Sequence, residues 1–129
     1  MAAHKTRACF PHASDEVKAW CAALADEIGS WPHVACRSFF GLTGVYRGKV
    51  MFAVLPRTRA LEVPNAVAFR FDAPSPRMLA RLAADSRIRS AEIKKTRWFS
   101  FELTSAADLH DALDLLGMAY DEAGRKKPR

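Results

Sequence analysis

A dense cluster of basic side chains between residues 87 and 97 is the part of this sequence best suited to chemistry. The cluster and the tryptophan that follows it comprise Arg87, Arg89, Lys94, Lys95, Arg97 and Trp98. A single acid, Glu92, interrupts it. Cations along a strand or wing can bind successive phosphates of a nucleic acid, while an exposed aromatic ring can stack on a base. The sequence therefore predicts binding of DNA or another polyanion through this basic wing.

Other interpretations fit the same residues. Basic side chains on an edge strand also discourage edge-to-edge pairing of sheets, and Trp98 can pack under a helix instead of stacking on a base. The alternative function is a protein-interaction or self-associating module, in which the basic wing and an acidic last helix meet a protein partner or a second copy in a homodimer. A small-molecule pocket near Tyr46 and Arg37, behind the strand at 50–55, is a third hypothesis.

No catalytic, metal-binding or cofactor-binding constellation is recognisable in the sequence. Cys21 and Cys36 fall within apolar segments and are expected to be buried small hydrophobes. Gly41, Gly44 and Gly48 match no phosphate-binding loop and are expected at turns. We therefore predict a protein that is not an enzyme, with no metal and no cofactor.

Length and composition predict one globular domain. The chain has 129 residues, of which 50% are hydrophobic and 26% charged, with a net charge of +6, and this composition differs from that of disordered chains. A single domain is predicted at 13–123, with flexible ends at 1–12 and 124–129. No apolar run reaches the roughly 18 residues that span a bilayer, and no signal peptide is recognisable. The expected location is cytoplasmic, without a membrane partner.

Periodicity predicts three helices and about six strands. Helices are expected from Ser14 to Gly29, from Ser75 to about residue 84, and after Ser105, which with Asp108 approximates a capping box. Strands are expected at 34–39, 44–46, 50–55, 60–63 and 67–71, and in two further runs at 88–93, with a bulge or bend at 90–91, and at 98–103. The last run should turn Phe99 and Phe101 inward. The predicted fold is α+β, an antiparallel sheet packed with three helices in the order α-β(4-5)-α-β-β-α.

Two stretches resemble known families. The segment from Phe39 to Ala53, FFGLTGVYRGKVMFA, resembles the signature of TfoX N-terminal-like domains, and the segment from Ile88 to Trp98, with the strand and helix after it, resembles MmcQ/YjbR-like proteins. Both families share the double-wing fold, so the resemblance implies that fold and, by analogy, DNA binding. This sequence departs from the pattern at Leu42, which interrupts a usual Gly-Gly, and at Arg97, where a histidine is common.

Overall fold

The structure, a computed structural model, describes residues 11–93 and 96–125. Within these residues it contains three helices and six strands in the predicted order. They are α1 (Asp15–Gly29), β1 (Val34–Phe39), β2 (Leu42–Arg47), β3 (Val50–Pro56), β4 (Ala66–Arg70), α2 (Pro76–Ala83), β5 (Ile88–Ile93), β6 (Thr96–Glu102) and α3 (Asp108–Arg125). The predicted α+β class, with its antiparallel sheet and three helices, is confirmed.

The six strands form one antiparallel sheet in the order β1-β2-β3-β4-β6-β5. The helices pack on one side of it, which we call the helix face. There the ring of Phe52 meets Tyr120 of α3 with centroids 5.7 Å apart, and Phe69 stacks on Phe99 at 5.7 Å. Because side chains alternate along a strand, the strand residues whose side chains do not point toward the helices lie on the opposite side of the sheet, which we call the open face.

The predicted alternation of inward and outward side chains is confirmed in β6, and a break in strand pairing that was not predicted occurs between β2 and β3. Phe99 and Phe101 are buried as expected. The structure has no bulge at 90–91, one of the two irregularities predicted there, since β5 pairs with β6 in unbroken register from 88 to 93. The irregularity lies between β2 and β3 instead, where Val45 pairs with Ala53 but Tyr46 pairs with Met51. This bulge lets two successive residues of β3, 52 and 53, enter the core.

The strand predicted at 60–63 is also wrong. This stretch belongs to a loop between β3 and β4. Backbone contacts hold the start of the loop to the beginning of the chain, because Ala60 N donates to Pro11 O at 2.8 Å and Arg59 forms an isolated bridge with His12. The apolar residues of the loop thus stand beside the open face without pairing in the sheet.

Three further expectations need correction. Cys21 is buried in α1 as predicted, but Cys36 is exposed, because β1 is an edge strand that the helices do not enclose. Gly41 and Gly48 adopt the positive φ expected at turns, but Gly44 lies inside β2. The flexible end predicted at 124–129 is wrong for residues 124 and 125, which continue helix α3 to Arg125, and residues 126–129 lie outside the described residues.

The caps of the first two helices follow the sequence, and the third has one of the two hydrogen bonds of the predicted capping box, the one from Ser105 N to Asp108. Ser14 Oγ and Ser75 Oγ accept hydrogen bonds from the backbone N–H groups three residues later, each at 3.1 Å. Helix α3 begins at Asp108, whose carboxylate accepts from Ser105 N at 3.1 Å. The carboxylate therefore supplies the side-chain cap at this helix start.

The turn between β1 and β2 places an aromatic side chain in an unfavourable backbone conformation. Phe40 and Gly41 are its two central residues, with φ of 50° and 80°, as a type I′ turn requires, and Asn-Gly is the preferred pair there. Phe40 is 81% exposed. Phe40→Asn is expected to raise the free energy of unfolding by about 0.5 kcal/mol in urea denaturation, because Asn tolerates this conformation better.

Phe40→Ala is the control, since it removes the ring but keeps a side chain that disfavours positive φ. It should not stabilise the protein. An Asn variant less stable than the Ala variant would contradict this explanation.

Candidate functional site

Arg87, the first residue of the predicted basic wing, is neutralised by carboxylates. Its guanidinium donates to Asp85 Oδ2 and Asp108 Oδ1, each at 2.8 Å, and lies 3.2 Å from Asp111 Oδ2. It also stands 4.5 Å from the centre of the Phe101 ring. The hydrogen bonds to Asp85 above all raise the pKa of Arg87, so the network stabilises its charged form. Arg87 joins the start of α3 to the sheet.

The other described residues of the basic wing lie on two faces. Arg89 pairs with Ser100 across the strands and lies on the open face together with Trp98. Arg97 is exposed on the helix face, beside a cleft between α2 and the sheet. Lys94 and Lys95 lie outside the described residues. The structure thus separates Arg89 from Arg97, because strand alternation sends them to opposite sides. Nucleic-acid binding through these residues stays a prediction.

A cross-strand row of mostly small side chains runs over the open face. Directly opposed residues on neighbouring strands share a face of a sheet. The row reads Arg37, Gly44, Val54, Ala68, Ser100 and Arg89, from β1 at one edge to β5 at the other. It therefore has an arginine at each end and little side-chain volume between them.

An apolar groove of about 710 Å³ occupies this part of the open face. Ala68 and Ser100 contribute its small strand residues, Trp98 comes from β6, and Leu61 and Val63 come from the loop between β3 and β4. Among the described residues, no helix contributes to the lining. Ligand sites in proteins are commonly concave, mostly apolar and about 300–1,000 Å³ in volume. The groove has the size and character of such a site.

Aromatic and sulfur-containing side chains crowd the row at its β2 position. A Cβ added to Gly44 would stand 3.0 Å from Phe39 Cε1 and 3.3 Å from both Met51 Cε and Tyr46 Cε1. Any larger residue at 44 would have to displace these side chains. Phe39 also lines the groove, which therefore has an apolar, crowded end near β2.

The opposite end of the groove is cationic. Arg89 on β5 is exposed, and none of the carboxylates whose side chains the structure describes lies within 4.0 Å of its guanidinium. Glu62 also lines the groove. Glu102, on the same face as Ser100, accepts a hydrogen bond from Asn65 Nδ2 at 3.4 Å. Arg89 is thus a charged group without an ion-pair partner among the side chains that the structure describes.

The sequence predicts this site only in part. Arg89 and Trp98 belong to the predicted functional surface, and the pocket predicted near Tyr46 and Arg37 falls beside the crowded end of the groove. The expectation that Trp98 packs under a helix is wrong, since the ring lines the open face. The signal that was missed is the pair of small apolar residues Ala66 and Ala68, on a strand face where polar side chains are usual.

No protein-family model matches this chain, and no curated protein or solved structure matches it either. In the described part of the chain, none of the helices combines the length and apolar character needed to cross a membrane. Within the same residues, no three His, Cys, Asp or Glu side chains converge as metal ligands would. Fold and site define an α+β protein whose sheet has one helix-covered face and one face with an apolar groove.

Proposed function

We propose that this protein is a non-enzymatic binding module that holds a small, largely apolar molecule in the groove of the open face. The observation that carries this proposal is the groove itself, about 710 Å³ in volume and lined mainly by apolar side chains. An apolar ligand would be transferred there from water, which is the main favourable contribution to such binding.

The burial of individual residues supports a formed site. Leu42 and Val54 both line the groove and are only 2% and 8% exposed. No helix of the described residues covers them, so neighbouring side chains of the open face and the loop at 61–63 shield them from water. A ligand would therefore meet apolar walls that are already enclosed, and little side-chain ordering would oppose binding.

Nucleic-acid binding is the second candidate. Arg89 and Trp98 share the open face, so a phosphate and a stacked base could be bound next to each other. The resemblance to TfoX N-terminal-like and YjbR-like domains supports this function by analogy of fold alone. Two observations weaken this candidate: Arg87 is neutralised by carboxylates, and Arg89 and Arg97 lie on opposite faces of the sheet. Binding of an apolar ligand in the groove is therefore the better supported function.

Filling the groove tests the proposed function. 1-Decanol is expected to displace the neutral dye Nile red with a Kd of about 100 µM, since roughly 11 heavy atoms at about 0.5 kcal/mol each give that affinity. Ala68→Phe places a ring in the middle of the groove. It should lower the affinity for both 1-decanol and Nile red at least about tenfold, because the ring occupies the volume that the probes need. Fluorescence titration measures both affinities.

Ala35→Phe is the matched control, because Ala35 is exposed on edge strand β1 and does not line the groove. It should leave both affinities unchanged. Equal losses in the two variants, or no probe binding to the wild-type protein, would contradict the proposal. Duplex DNA binding at low salt in the absence of probe binding would favour the second candidate.

A further inference from the structure

We infer that the ligand of the groove is an amphiphilic anion, with a carboxylate or similar group at Arg89 and its apolar part directed across the sheet toward Phe39. This inference rests on the proposed function and specifies the class of ligand. It depends on the two chemically different ends of the groove.

The direction of the ligand follows from the cross-strand row. Val54, Ala68, Ser100 and Arg89 occupy successive strands β3, β4, β6 and β5. At about 4.8 Å per strand, the distance from Val54 to Arg89 is about 14 Å. Apolar side chains line the β3 end, and the only ionic side chain of the row within the groove stands at the other. A chain-like molecule with one polar end therefore fits the groove with its polar end at β5 and its apolar end at β3.

The charge of the polar end follows from the state of Arg89. A guanidinium presents a planar fork of N–H donors that matches a carboxylate with two parallel hydrogen bonds. Ser100, directly opposite Arg89 in the sheet, adds a hydroxyl group on the same face.

Arg89 is better placed to bind the anionic end of the ligand than the other charged groups of the open face. Arg70 is paired with Asp72 through two hydrogen bonds of 2.7 and 2.9 Å. Arg37 lies over the ring of Tyr46, at 5.7 Å from its centre, and does not line the groove. Glu62 lines the groove and disfavours a second anion near the loop, so the anion is expected at the β5 end.

A matched pair of probes, decanoate and 1-decanol, tests the inference. At about pH 7.5 decanoate is fully ionised, and the two molecules have the same chain length. The wild-type protein is expected to prefer decanoate about tenfold in Nile red displacement, because a charge-assisted hydrogen-bond pair is gained at Arg89. Arg89→Met should abolish the preference and leave the affinity for 1-decanol within about twofold of wild type.

Arg97→Met is the control, since Arg97 is also exposed but lies on the helix face. It should retain the full preference. Equal affinities for the two probes in the wild-type protein, or a preference that survives Arg89→Met, would overturn the inference and leave the proposed function standing. Absence of 1-decanol binding would instead overturn the proposed function, and the inference with it.

Discussion

Arg87→Met is expected to lower the free energy of unfolding by about 3 kcal/mol, whereas Arg89→Met should change it by less than about 0.5 kcal/mol. Loss of the Arg87 guanidinium leaves Asp85, Asp108 and Asp111 without their shared partner. Asp108 is only 9% exposed, so its unpaired charge is the costly one. Arg89 makes no such contact among the described residues, and its removal leaves no buried charge unpaired.

Urea denaturation of the two variants measures this difference, and Arg87→Lys refines it. A lysine restores the charge but not the planar fork that reaches two carboxylates at once, so its stability should fall between wild type and Arg87→Met. Equal stability of the Met variants at 87 and 89 would contradict the structural role of Arg87. Combined with the probe titrations, the pair distinguishes an arginine that holds the fold from one that faces the groove.

This contrast shows why the sequence predicted the elements better than the site. Helices and strands follow from local periodicity and caps, such as the serines before α1 and α2, and these signals are complete within a few residues. In the sequence, Arg87 and Arg89 look alike. Their difference depends on Asp85, two positions before Arg87, and on Asp108, which is 21 positions from Arg87 in the chain and 2.8 Å away in the structure. The second contact is the one that local sequence does not show.

The groove was hard to predict for the same reason. Its small residues Ala68 and Ser100 come from β4 and β6. These strands are separated in the chain by α2 and β5 and become neighbours only in the sheet order of the fold. Alternation predicts which face each residue takes within its own strand. It does not predict that β4 inserts between β3 and β6, which is the pairing that aligns Val54, Ala68 and Ser100.

The carboxylate of Asp108 is expected to be the most important side chain of the α3 start. Its Oδ2 accepts from Thr104 N at 2.7 Å, from Thr104 Oγ1 at 3.0 Å and from Ser105 N at 3.1 Å, while Oδ1 accepts from Arg87. Asp108→Ala removes the acceptor for all of these donors, and we expect it to lower the free energy of unfolding by about 3 kcal/mol at neutral pH. Asp108→Asn keeps one acceptor oxygen and should lose less.

The effect of Asp108→Ala is expected to depend on pH. The hydrogen bond from Thr104 N, followed by those from the Thr104 hydroxyl and Arg87, lowers the pKa of Asp108. A carboxyl group whose pKa is lower in the folded state stabilises the fold above its unfolded pKa of about 3.9, and this contribution is lost as the pH falls through the folded value. The stability difference between wild type and Asp108→Ala should therefore be constant from about pH 7 to pH 5 and narrow below about pH 4. Urea denaturation at several pH values measures it, and because Asp85 also has a lowered pKa, the variant should retain part of the acid sensitivity. A difference that stays the same down to about pH 2.5 would show that the charge of Asp108 does not stabilise the helix start.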